Sequence, residues 1–264
     1  MTHSMRSSRS FWMGLLIICL TCAAHPLLAQ DERWPELTKC ELIAPGGLLS
    51  AEAMCGTLTV PENHAAPDGT TLDLAWAVIP ARLGSVEPDP IVFLAGGPGQ
   101  SARDVAPMVQ GWMNNANRSR DLIFLDQRGT GGSNALTCEF DDVDLMAEVD
   151  YERLNEQLRS CMQDNGAALD RYTTRDGADD LEYLRQSIGV EQLNLVGGSY
   201  GTRMAQDYQK HYPNRVRSVI IDGVVPTRLK LGSEHAEKLD QSLERLFAAC
   251  QADAACDAQF PDLS

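Results

Sequence analysis

Ser199 stands in the run Leu193-Asn-Leu-Val-Gly-Gly-Ser-Tyr-Gly-Thr-Arg203, flanked by Gly197 and Gly201. A serine hydroxyl is a weak nucleophile until a base takes its proton and the backbone presents it to the substrate. The apolar residues before Ser199 read as a strand, and those after it as a helix, so the GxSxG segment is expected to form a tight strand-to-helix turn, a nucleophile elbow. Gly197 and Gly201 would let strand and helix approach closely, and the Tyr200 amide at the helix start could donate to a developing oxyanion.

The elements needed to hold such a turn follow from apolar patterning. Gly56–Val60 and Thr71–Ile79 alternate, as antiparallel strands near a sheet edge do. Ile91–Leu94 and Leu122–Leu125 are continuous apolar runs, the signature of strands covered on both faces. Helical spacing is expected over 143–162 and in the stretch carrying Leu181, Leu184 and Ile188, with Gly189 as its stop. Strand Leu193–Val196, the elbow helix to about Tyr212 and strand Val216–Ile221 complete an alternating pattern of six strands. This is an α/β domain with a mostly parallel sheet flanked by helices.

Two loops at strand ends carry further chemistry. Ala95-Gly-Gly-Pro-Gly-Gln-Ser-Ala102 follows the third strand, where Gly97 and Gly99 are the expected second oxyanion donors, since Pro98 has no amide hydrogen. Asp126-Gln-Arg-Gly-Thr-Gly-Gly-Ser133 follows the next strand. Asp126 and Arg128 are read there as a charged pair that locks a glycine-rich loop, with binding of a substrate terminus as the other reading.

The leader, Ala95-Gly-Gly-Pro-Gly99, Asp126-Gln-Arg-Gly-Thr-Gly131 and Gly197-Gly-Ser-Tyr-Gly201 together resemble the secreted α/β-hydrolases of the proline iminopeptidase and tripeptidyl aminopeptidase family. The resemblance spans roughly residues 40–225. It implies an α/β-hydrolase fold and a serine exopeptidase acting on peptides with a free amino terminus, with Ser199 as nucleophile. Ala95 departs from the histidine usual in proline iminopeptidases, which favours the tripeptidyl branch.

Composition constrains the setting. Arg6 and Arg9 precede the apolar run Phe11–Leu20, and small residues follow, so residues 1–29 read as a signal peptide cleaved after Ala29. The apolar run is shorter than the ~20 residues of a membrane span. The chain carries 22 Lys and Arg against 37 Asp and Glu, a net charge of -15, which disfavours nucleic acid and anionic membrane as partners. Of its 8 cysteines, Cys19 and Cys22 lie in the leader, and the rest form local couples: Cys40 with Cys55, Cys138 with Cys161, and Cys250 with Cys256. Disulfides are expected in an exported chain, and the spacing does not suit a metal site. There is no P-loop, HExxH or dinucleotide fingerprint, so no cofactor is expected. Asn117-Arg-Ser119 is a formal glycosylation sequon.

The triad is where the motif runs out. In this fold the order is Ser, then Asp or Glu, then His, and after Ser199 only His211 and His235 follow. His211 sits at the end of the elbow helix and reads as a surface residue. Asp222 and His235 satisfy the order, but His235 opens an amphipathic helix over 234–250 carrying Leu239, Leu243, Leu246 and Phe247. Residues 30–228 are therefore read as a hydrolase core, and 229–264 as the start of a helical cap. The fold is expected to be incomplete at the carboxyl end, with the distal acid and base beyond Ser264 and a sheet edge left exposed. Weak or absent turnover is expected of such a chain. An esterase acting on small esters and a non-catalytic binding protein are the alternatives on the same scaffold.

Overall fold

The computed structural model describes Met1 and residues 33–34, 36–138, 150–164, 168–232 and 234–263. The expected signal peptide lies almost wholly outside the described residues. Residues 36–264 form a compact unit separate from residues 1–35, and the fold is that of the larger unit.

Seven strands make one sheet: β1 (Thr38–Ile43), β2 (Ser50–Pro61), β3 (Thr71–Ile79), β4 (Ile91–Leu94), β5 (Leu122–Leu125), β6 (Leu193–Gly198) and β7 (Val216–Asp222), in the order β1-β2-β3-β5-β4-β6-β7. Pairings β1–β2, β2–β3 and β3–β5 are antiparallel, whereas β5–β4, β4–β6 and β6–β7 are parallel. All strands except β1 and β3 therefore point the same way. The helices are α1 (Ala102–Trp112), α2 (Tyr151–Asp164), α3 (Thr174–Ser187), α4 (Tyr200–His211), α5 (His235–Ala252) and α6 (Ala254–Gln259).

The continuous apolar runs occupy the sheet centre. Every residue of β5 is buried, and Phe124, Leu122 and Ala77 join Val105, Ala106 and Val109 of α1 in one apolar cluster. Chain order reverses direction at β4, whose neighbours are β5 on one side and β6 on the other. A crevice opens at the carboxyl ends of the strands at such a switch point. The loops after β4, β5 and β6 all leave from that edge.

Two sequence expectations change, and a third is seen over part of its span. β1 and the first half of β2 were not anticipated, so the sheet has seven strands rather than six; β1 buries only Leu42, and its polar composition hides it. The helix expected over 143–162 is seen as α2 from Tyr151, and 143–149 lie outside the described residues. The sequon fails on burial: Asn117 is fully buried, with Nδ2 donating to the carbonyls of Ile79 and Arg120 at 3.2 and 3.1 Å. A glycan there is incompatible with the fold.

Disulfides join Cys40 to Cys55, Cys138 to Cys161 and Cys250 to Cys256, with Cα–Cα distances of 5.8, 5.5 and 5.2 Å. Helix α5 forms, but Leu239 and Leu246 on its apolar stripe are exposed. β7 is the edge of the sheet, with Ile220 58% exposed. Among the described residues no helix is long and apolar enough to cross a membrane, and no cluster of three or more His, Cys, Asp or Glu could hold a metal ion.

A buried polar knot ties α3 to α4. Glu182 accepts from Arg185 at 2.8 and 2.7 Å, from Gln186 at 2.8 Å and from the Tyr208 hydroxyl at 2.8 Å. Burial pushes the Glu182 carboxyl up, but these donors outweigh it and hold it below its ordinary value of 4.5. A group depressed in the folded state contributes stability above its unfolded pKa and loses it as pH falls through the folded value. Glu182→Gln is expected to lower the urea midpoint at pH 7 by the equivalent of ~1–3 kcal/mol. Its stability should also decline less steeply than that of the parent below about pH 4.5, which unfolding curves at several pH values would measure.

Candidate active site

β6 ends directly in the elbow. Ser199 has φ 51° and ψ −119°, a left-handed φ that a non-glycine residue adopts only under constraint, and α4 begins at Tyr200. Such a conformation costs roughly 1–3 kcal/mol and persists only where surrounding structure enforces it. The enforcement is visible. The Ser199 amide donates to the Asp222 carbonyl at 2.8 Å, and its carbonyl accepts from Thr202 N at 3.0 Å and Thr202 Oγ1 at 2.6 Å. Thr202 Oγ1 in turn accepts from Val225 N at 2.8 Å, so the buried threonine fastens the turn to the loop after β7.

The two motif glycines are steric necessities. A Cβ at Gly201 would stand 1.9 Å from the Leu94 carbonyl oxygen, and one at Gly197 would stand 2.6 Å from the Gly201 carbonyl oxygen. At Gly198 the nearest neighbour of such an atom is Phe93 Cζ, at 3.8 Å. Only the outer glycines are needed for the close approach.

The loop after β4 lies against the serine. A Cβ at Gly96 would be 3.1 Å from Ser199 Cβ and 3.7 Å from its Oγ. Gly96 N donates to Gln100 Oε1 and Gln100 N to the Gly96 carbonyl, both at 3.3 Å, so the Gly96 amide is occupied. Gly97 and Gly99 take φ values of 96° and 103°, and among the described residues nothing accepts from either amide. Tyr200, first in α4, has no carbonyl partner within the helix for its amide. Its hydroxyl bonds Thr174 Oγ1 at 2.8 Å.

Asp126 and Arg128 do not pair with each other, contrary to expectation. Asp126 turns toward α1, accepting from Ser101 Oγ at 2.9 Å and Arg103 N at 3.1 Å, and toward its own loop, accepting from Gly132 N at 3.0 Å. Arg128 turns toward α3, where Nε and Nη2 meet Asp180 at 2.7 and 2.6 Å and Nη1 donates to the Glu62 and Arg171 carbonyls. Burial works against the Arg128 cation, and the Asp180 carboxylate outweighs it and holds the guanidinium above its ordinary range. Both side chains are buried, and each is hydrogen-bonded to its own set of protein partners.

No histidine is hydrogen-bonded to Ser199 among the described residues. His211 is on the surface, bonded to the Asp207 carbonyl. His64 is held by Asp180 at 2.8 Å, and His235 opens α5. Asp222 contributes its carbonyl, not its carboxylate, to the elbow. A cavity of about 410 Å³ lies between α3, Tyr212 and His64, and one of about 370 Å³ lies beside Asp126, Ser101 and Arg103.

A family model described as the alpha/beta hydrolase fold matches residues 89–262. The chain belongs to the α/β-hydrolase family. This α/β-hydrolase is 32% identical over 255 residues to the serine protease Hip1 of Mycobacterium tuberculosis, covering 88% of this chain and 48% of that protein. It is 30% identical over 214 residues to the tripeptidyl aminopeptidase of Streptomyces lividans, covering 72% and 38%. The solved proline iminopeptidase of Mycobacterium smegmatis is 18% identical, with a TM-score of 0.42, covering 78% of this chain and 56% of that one. The chain spans about half the length, or less, of the named relatives it matches.

Sequence reasoning overlooked several residues on which this hydrolase site rests. Asp180 and the Thr202 contact to Val225 act through partners brought in by the fold, whereas Gln100 and Thr202 also bond Gly96 and Ser199 within four residues. Ser101 carried a signal, for it lies three residues before Asp104 at a helix start, and it caps α1 by accepting from Asp104 N at 3.1 Å. The contrast between the glycines is directly testable. Gly201→Ala is expected to cost about 3 kcal/mol or more, or to prevent folding, because a backbone carbonyl blocks the new atom. Gly198→Ala is expected to change stability by less than about 0.5 kcal/mol, as measured by urea unfolding.

Proposed function

We propose that this α/β-hydrolase is an exported serine peptidase that removes residues from the free amino terminus of peptides. The reading rests on one observation above the others: Ser199 is held at positive φ at the tip of a strand–helix turn, with Gly96 so near that an added Cβ there would stand 3.1 Å from Ser199 Cβ. Ser199 Oγ attacks the scissile carbonyl carbon, the C–N bond breaks as the amine leaves with a proton, and water hydrolyses the acyl-enzyme. The amides of Tyr200, Gly97 and Gly99 are the proposed oxyanion donors, and their free hydrogens support that role. The peptidase names of the relatives support a peptide substrate, and the three disulfides support export to an oxidising compartment.

The general base is assigned to none of the described residues. Oxyanion stabilisation and binding alone retain on the order of 10³ over water, so turnover that relies on these residues alone is slow. A fluorophosphonate probe separates the readings. Labelling is expected at Ser199 and is expected to vanish in Ser199→Ala; an unlabelled parent chain would mean a binding protein on a hydrolase scaffold. Rates on unblocked aminoacyl and tripeptidyl amides should exceed those on their N-acetylated forms. Cleavage of short acyl esters with no amide cleavage would make the protein an esterase instead.

A further inference from the structure

Among the described residues Asp126 makes no hydrogen bond to Ser199, yet the loop that lies beside Ser199 ends on it. Its carboxylate is 1% exposed and collects three donors: Ser101 Oγ at 2.9 Å and Arg103 N at 3.1 Å on Oδ1, and Gly132 N at 3.0 Å on Oδ2. Arg103 Nη1 lies 3.9 Å from Oδ2. Ser101 closes the Ala95–Ser101 loop and caps α1, so one carboxylate oxygen fixes both the end of the loop and the start of the helix.

The other end of this strut is anchored in the sheet. Asp126 N donates to the Ala75 carbonyl at 3.0 Å, while Ser133 Oγ donates to the Asp126 carbonyl at 2.7 Å and accepts from Ala75 N at 2.9 Å. The loop opposite packs closely on the carboxylate. A Cβ at Gly131 would stand 2.3 Å from Asp126 Oδ2, and one at Gly132 would stand 2.7 Å from Ala75 Cβ. The loop opposite the carboxylate has glycine where any side chain would displace it.

We propose that Asp126 is a positioning residue for the Gly96–Gly99 loop, setting from β3 the place of the amides that face the reacting carbonyl. The inference rests on the reading of Ser199 as a nucleophile. Its physical content is that an oxyanion donor acts only at hydrogen-bond distance, and a displacement of about 1 Å costs on the order of 10²-fold in rate with little change in ground-state binding.

The test uses the 264-residue chain and its Asp126→Asn and Asp126→Ala variants. Fluorophosphonate labelling of Ser199, however slow, is separated into a maximal rate and an apparent binding constant, and amide hydrogen exchange is followed in peptides covering 95–101 and 193–198. Asp126→Ala is expected to lower the maximal labelling rate about 10²-fold, with the binding constant within about twofold. Exchange should rise in 95–101 and stay unchanged in 193–198. Asparagine keeps an acceptor for Ser101 and Arg103, so Asp126→Asn should recover much of both losses. Unchanged labelling or unchanged loop exchange in folded Asp126→Ala overturns the proposal. Should the alanine variant fail to fold, Ser101→Ala takes its place, since it removes the hydroxyl that ties the loop end to the carboxylate, and unchanged labelling and loop exchange in it overturn the proposal equally. A parent chain that does not label removes the Ser199 reading and this inference with it, whereas a labelled parent with unaffected variants removes this inference alone.

Discussion

Helix α4 starts so close to the end of β4 that no side chain fits between them: an added methyl at Gly201 would overlap the Leu94 carbonyl. The rest of the site depends on that contact. To bring the helix so near, the chain must turn within one residue after β6, and Ser199 absorbs the turn at a positive φ. The strain cannot relax locally, because the serine's own amide is held by Asp222 and its carbonyl by Thr202. The hydroxyl is thus placed by backbone shape at the start of α4.

Around this elbow, the loop after β5 acts as a spacer between layers. Asp126 and Arg128 are two residues apart and face different neighbours, one toward α1 and the loop beside Ser199, the other toward Asp180 of α3 and the β2–β3 connection. Burying two opposite charges is unfavourable unless each is fully paired, and here each has its own set of partners. A single mutual ion pair would have tied the loop only to itself. Two divergent ones tie three segments together. The Glu182 knot then fixes α3 on α4, the helix that carries the elbow.

Burial is uneven across this framework. β4, β5 and β6 lie inside the sheet under helices, whereas β7 at the edge keeps Ile220 and Ile221 exposed and α5 exposes its leucines. Segments with few buried apolar contacts open at lower free energy than the core. Asp222, which holds the Ser199 amide, belongs to that edge strand. The elbow therefore joins buried central strands to an exposed edge strand.

Much of this could be read from the chain because it is local. Continuous apolar runs marked β4 and β5, glycines on either side of Ser199 marked the elbow, and cysteines close in sequence marked the disulfide couples. β1 escaped because a strand that buries only Leu42 has no pattern to detect. The partners of Asp126 and Arg128 escaped for another reason: Asp180 lies 52 residues from Arg128, and nothing in either neighbourhood names the other. The sequence by itself determined the strand–turn–helix, the glycines it requires and the cysteine couples, since each depends on spacing along a few residues of backbone. Only the tertiary structure decided the strand order and the divergence of the two buried charges. Those are distances between segments far apart in the chain, and packing alone sets them.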